Sequence, residues 1–224
     1  MSKINTVNAS NLELRALCCV LLLILFPSVF ADYEDGVNAA LKGDFETALY
    51  EFTVAAEEGL DLAQYNLAIL YFTGQGVEQD AAEAFRWTEA AALQGHVAAQ
   101  FNLGSLYYTG DGVEADTDKA VEMFEGAARA GHANAALILA NMYADGELTS
   151  DEEPSLYAQL SNYISTLFSD EQARTDLVLA HVWANVAIAN ENSEADALLM
   201  GLEGRMSAKQ LSQARRQFAQ WQIQ

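Results

Sequence analysis

Residues 63–80 read A-Q-Y-N-L-A-I-L-Y-F-T-G-Q-G-V-E-Q-D, and residues 99–116 read A-Q-F-N-L-G-S-L-Y-Y-T-G-D-G-V-E-A-D. The second stretch copies the first at an offset of 36 residues. A weaker third copy, A-A-L-I-L-A-N-M-Y-A-D-G, begins a further 36 residues on, at Ala135. Self-similarity at a fixed period of this length marks an array of supersecondary units. In each copy Leu67, Leu70 and Tyr71, or Leu103, Leu106 and Tyr107, keep the i, i+3, i+4 spacing of one helix face. Gly74 and Gly110 suit the left-handed residue that ends such a helix. Val77 and Val113 give the following loop an apolar foot. Asp80 and Asp116 stand where a second helix needs an N-cap.

The second halves repeat in the same register. Ala84, Ala90, Ala91 and Gly95 correspond to Ala120, Gly126, Ala127 and Gly131, while Ala48, Ala55, Ala56 and Gly59 lie one period before Ala84, Ala91, Ala92 and Gly95. Small residues at these positions let neighbouring helices approach closely. One such hairpin cannot bury its apolar face alone, so hairpins stack. The sequence therefore predicts an all-α fold, an α/α solenoid of antiparallel helix pairs.

The pattern resembles the Sel1-like repeat, a relative of the tetratricopeptide repeat. Residues 63–98 follow it nearly throughout, including Trp87. Residues 99–134 follow it with Met123 in place of the Trp and Gly126 in place of an Ala. Ala68 stands where the second copy has Gly104. The resemblance implies a right-handed superhelix whose first helices line a concave face. It places Tyr65, Asn66, Phe101, Asn102, Ser105 and Asn141 toward that groove, where rings and amides suit a bound peptide.

Around this nucleus the expected organisation is a signal peptide at 1–31, a shortened tetratricopeptide-like hairpin at 32–60, and repeats at 61–98 and 99–134. A third repeat at 135–192 is interrupted near 149–175, because Asp176, Ala180, Trp183 and Ala187 match Asp116, Ala120, Met123 and Ala127 only after a 24-residue insertion. Capping helices follow at 193–224. Ser207 and Gln210 have the spacing of a capping box. Leu211, Ala214, Phe218 and Trp221 form the apolar side of the last helix, with Lys209, Arg215 and Arg216 among its polar positions.

At the N-terminus Ala16–Phe26 is an uninterrupted apolar run, preceded by Lys3 and Arg15 and broken by Pro27. It is shorter than the roughly 20 residues a membrane span takes. Val29 and Ala31 have the small side chains that signal cleavage needs, so cleavage after Ala31 is expected, with a periplasmic or secreted product and no lasting membrane insertion; an uncleaved anchor is the second reading. Cys18 and Cys19 both lie in this run, so the mature chain would carry no cysteine.

The chain has 224 residues, 11 Lys+Arg against 32 Asp+Glu, and a net charge of −21. So few cations argue against nucleic acid, whose affinity comes from clustered Lys and Arg. The glycine strings lack the strand, third glycine and Lys-Ser/Thr of a phosphate loop. Asp111, Asp116 and Asp118 lack the alternating spacing of a calcium loop. His96 and His132 recur at one repeat position, which makes them structural, and His181 falls on an amphipathic helix beside Trp183. No catalytic residue, metal site or cofactor is expected. The functional expectation is an exported scaffold for a protein or peptide partner. The alternatives are a module that binds envelope polysaccharide, for which Tyr71, Phe72, Tyr107 and Tyr108 could stack on sugars, and a hydrolase.

Overall fold

The computed structural model describes residues 27–146 and 172–222, with side chains from residue 29 and, after the second break, from residue 177. Ten helices and no strand are present among the described residues. They are α1 (Pro27–Leu41), α2 (Phe45–Glu57), α3 (Asp61–Thr73), α4 (Ala81–Leu93), α5 (Val97–Thr109), α6 (Thr117–Arg129), α7 (Ala133–Asp145), α8 (Gln172–Ala189), α9 (Ala195–Arg205) and α10 (Ala208–Trp221). The all-α class expected from the repeat is the class observed. The chain divides into two compact units, Met1–Gln94 and Gly95–Gln224.

In the first unit α1 packs on α2, α2 on α3 and α3 on α4. Its core joins Ala39, Ala48, Phe52, Ala55, Ala56, Ala63, Leu67, Ala68, Leu70 and Trp87. Burial of this apolar surface is the main stabilising contribution. Gln64 is the polar exception. Its amide donates to the Ala56 carbonyl at 3.2 Å and accepts from Gln94 at 2.7 Å, so a buried side chain ties three helices without an unmet polar group.

In the second unit α5 packs on α6, α6 on α7, α7 on α8, and α8 on both α9 and α10. The helix after the second break packs on α7, as α4 packs on α3 and α6 on α5. It differs from expectation at its start. Asp176, aligned with the cap Asp116, lies inside α8, which begins at Gln172. In the regular copies a G-x-G-V loop holds the backbone extended up to the cap. The insertion expected near 149–175 and the signal segment fall largely on residues 147–171 and 1–26, outside the described residues. α1 opens on Pro27, a favoured first helical residue, and runs across the expected Ala31–Asp32 cleavage point.

The repeat boundaries have local causes. Gly74, Gly110 and Gly146 end the first helices at φ +71°, +79° and +72°, each amide donating back to the carbonyl of Leu70, Leu106 or Met142. Asp80 Oδ1 accepts from the amides of Ala82 (2.9 Å) and Glu83 (3.1 Å), and Asp116 Oδ1 accepts from Lys119 (3.0 Å). Those hydrogen bonds, led by the Lys119 amide, hold the Asp116 carboxyl below its ordinary value. The Ser207–Gln210 capping box is complete. The second glycine of the first loop has another reason. A Cβ on Gly76 would run into the backbone carbonyl of Phe45, at the start of α2. Only glycine lets this loop lie against the preceding hairpin.

Candidate functional site

An open, shallow concave surface lies in the second unit. It is a groove of about 480 Å³, lined by Phe101 of α5, Ala133, Asn134, Leu137 and Ile138 of α7, and residues 191–194 between α8 and α9. Helical period places Ala133, Asn134, Leu137 and Ile138 on one face of α7. The repeat brings Phe101 alongside them.

His132 fixes one wall. Its Nδ1 accepts from the Ala135 amide at 3.3 Å and caps α7. Its ring stacks on Phe101, with centroids 4.3 Å apart and planes 19° apart. Phe101 also meets Phe124 at 5.8 Å in a tilted pair. Burial lowers the His132 pKa below its ordinary 6.5, which favours the neutral ring the cap requires. His96 caps α5 in the same way, accepting from Ala99 at 3.1 Å. The recurrence of these histidines therefore has a structural cause.

The opposite rim is a fixed turn. Asn192 donates from its side chain to Asn134 Oδ1 at 2.9 Å, and its own Oδ1 accepts from the Glu194 amide at 2.9 Å. Glu191 is the one non-glycine residue with positive φ among the described residues, at +70°. Its N–H closes a turn onto the Ile188 carbonyl. Glu191 and Glu194 are exposed, and neither is ion-paired among the described residues.

The six side chains picked out by the repeat fall on both units. Tyr65 and Asn66 belong to the first unit and the other four to the second. Asn66 donates to the Tyr33 hydroxyl at 3.2 Å and to the Leu62 carbonyl at 3.0 Å. Asn141 and Ser105 each bond the carbonyl one turn back, Leu137 at 3.1 Å and Phe101 at 3.2 Å. Asn102 is half-buried on α5. Of the six, Phe101 alone lines the groove. Sequence reasoning missed Leu137 and Ile138, which are the third-copy equivalents of Phe101 and Asn102 and were there to be read from the register. It also missed the turn at 191–194, which no periodicity marks.

His181 is more than packing. It is 2% exposed. Its Nδ1 lies 3.1 Å from the Asn185 amide nitrogen and its Nε2 lies 3.3 Å from Glu203 Oε1. That amide nitrogen can only donate, so Nδ1 is the acceptor and Nε2–H points at the carboxylate. Glu203 also meets Arg215 at 3.4 Å. The His181 bond first, then Arg215, holds its pKa below the usual value. The cluster ties α8 to α9 and α10. Among the described residues no group of three or more His, Cys, Asp or Glu is placed to hold a metal ion. No helix among them is long and apolar enough to cross a membrane.

Comparisons agree with this architecture. The Sel1 repeat model matches residues 61–96 and 97–132. No curated protein matches the chain. Among solved structures, a Sel1 repeat protein from Oxalobacter formigenes aligns with a TM-score of 0.59 at 24% identity, covering 75% of this chain and 59% of that one. A protective antigen present in uropathogenic Escherichia coli strains, which displays an SLR fold, aligns with a TM-score of 0.52 at 28% identity, covering 86% of this chain and 46% of that one. The chain thus spans about half the length of these structures. Two consecutive Sel1 repeats lie at residues 61–132, and over the 75% and 86% of the chain that aligns its fold is that of these Sel1 repeat structures.

Proposed function

We propose that the protein is an exported scaffold that binds another protein through a peptide segment laid in the groove between α5 and α7, with no catalysis of its own. The groove carries this reading. It is concave, apolar along Phe101, Leu137 and Ile138, edged by the Asn134 and Asn192 amides, and built on rigid helices of a repeat array. Apolar contact area with a few placed polar groups is what peptide recognition uses. Tyr65, Asn66, Asn102, Ser105 and Asn141 are proposed as further contact positions.

Export rests on the apolar run Ala16–Phe26 and the small residues Val29 and Ala31. Cleavage after Ala31 would keep Tyr33, Val37, Ala39 and Ala40, through which α1 joins the first core, and would remove only Val29 from it. The proposed location is periplasmic or secreted.

A photo-crosslinking residue at Ile138 should capture a discrete protein from envelope extract, and Phe101→Ala should abolish the capture. An uncaptured groove would overturn the assignment. Loss of capture on Asn66→Ala with Asn102→Ala would extend the surface to those positions, and unchanged capture would confine it to the groove.

A second reading, binding to envelope polysaccharide, is favoured by one observation. Phe72 and Tyr108 occupy the same repeat position and are 50% and 47% exposed, whereas their neighbour Tyr107 is buried. Recurrent exposed rings are suited to stacking on sugars. Glycan-array binding that is lost on Phe72→Ala with Tyr108→Ala would support it.

A further inference from the structure

We propose that the α5–α7 groove selects a peptide presenting an arginine side chain. This deepens the peptide-binding reading and rests on it. The groove is asymmetric in chemistry. One side, made of Phe101, Leu137 and Ile138, is apolar, and the rim facing it carries Glu191 and Glu194. Among its lining residues there is no lysine or arginine. A long cationic side chain has the matching asymmetry, because its stem lies along apolar surface while its head stays at a polar edge.

The acidic rim is held in place. The Asn192–Asn134 bond across the groove and the Asn192–Glu194 bond within the turn fix the segment that carries both carboxylates. Neither carboxylate is committed to a cation among the described residues. This contrasts with Glu83, Asp116 and Glu125, whose partners are Arg86, Lys119 and Arg129. Phe101 adds a second attraction. His132 covers one face of its ring and Phe124 meets it in a tilted pair, and Phe101 still lines the groove, where a guanidinium can contact it. Arginine is favoured over lysine because its planar head can bond a carboxylate in fork geometry and stack on a ring. The −21 net charge steers cationic segments toward the protein and acidic ones away from it.

The test uses the 15N-labelled protein and two neutral-capped probes, N-acetyl-arginine N-methylamide and its citrulline counterpart, which keeps the shape and removes the charge. The arginine probe should give saturable amide shifts confined to Phe101, Leu137, Ile138 and residues 191–194, and the citrulline probe should not. Glu191→Gln with Glu194→Gln should weaken the arginine probe about fivefold, as expected for a partly screened pair of charges. Glu114→Gln with Glu122→Gln makes the same net charge change elsewhere on the second unit and should leave binding unchanged. Equal shifts with citrulline, shifts scattered over the acidic surface, or indifference to the rim substitutions would overturn the inference. If the Ile138 crosslink still captures a protein in that case, the scaffold reading stands and only the arginine preference falls. If both fail, the groove is not the binding site.

Discussion

The most informative single position is Gly104. A Cβ there would lie 2.8 Å from two ring carbons of Phe124 and 3.1 Å from the Ala120 carbonyl. One period earlier the corresponding pair is Ala68 and Thr88, so a larger residue on the first helix goes with a smaller one on the second. The first hairpin has the same device, since a Cβ on Gly36 would lie 2.7 Å from the Phe52 ring. Gly104→Ala should therefore destabilise the second unit by about 1–3 kcal/mol, overpacking outweighing the helix propensity gained. In a Phe124→Thr background, which reproduces the first repeat's pair, Gly104→Ala should cost less than it does alone. Urea unfolding of the two single variants and the double variant would give the coupling, and strict additivity would refute the pairing. His132 gives a second prediction. Its folded-state pKa is lowered, so its contribution is fully present above about pH 6.5, where the unfolded chain is also neutral, and is lost as pH falls through the lower folded value. His132→Asn keeps a capping acceptor and cannot titrate. Thermal unfolding should then lose less stability on acidification than in the parent. An identical pH slope in the two proteins would show that the ring does not contribute.

For elements, the two glycines of the first loop separate two kinds of requirement. Gly74 needs a left-handed φ but has nothing nearer than 3.4 Å to an added Cβ, so Gly74→Ala should cost about 1 kcal/mol of conformational strain. Gly76 has a similar φ, +73°, and also abuts the Phe45 backbone. Gly76→Ala must displace the loop from α2, and its loss should exceed that of Gly74→Ala by a clear margin in thermal melts. Equal losses would mean that the loop contact carries nothing. The string G-x-G-V was legible as a turn from sequence. Which glycine serves the helix end and which serves the contact was not, because the difference depends on where α2 starts relative to a loop some thirty residues away. The groove shows the same division. Phe101 could be chosen from its repeat position. Its partners Glu191 and Glu194 come from a turn after the array has lost its period, and only the packing of α8 against α7 brings that turn across from Phe101.

For the whole molecule, a net charge of −21 on 224 residues opposes compaction by self-repulsion. Raising ionic strength from low salt to about 0.3 M shortens the screening length to a few ångströms and should raise the melting temperature. An unchanged or lower melting temperature would place the stability-limiting charges in attractive pairs. The sequence by itself determined the helical class, the period, the glycine ends, the aspartate caps and the closing capping box. Each of these is a property of residues near one another in the chain, so spacing suffices to read it. Tertiary structure alone decided that Asn66 bonds Tyr33, that His181 joins α8 to α9 and α10, and that an acidic turn faces Phe101 across a groove. Those relations depend on how helices distant in sequence pack, and no local pattern records that.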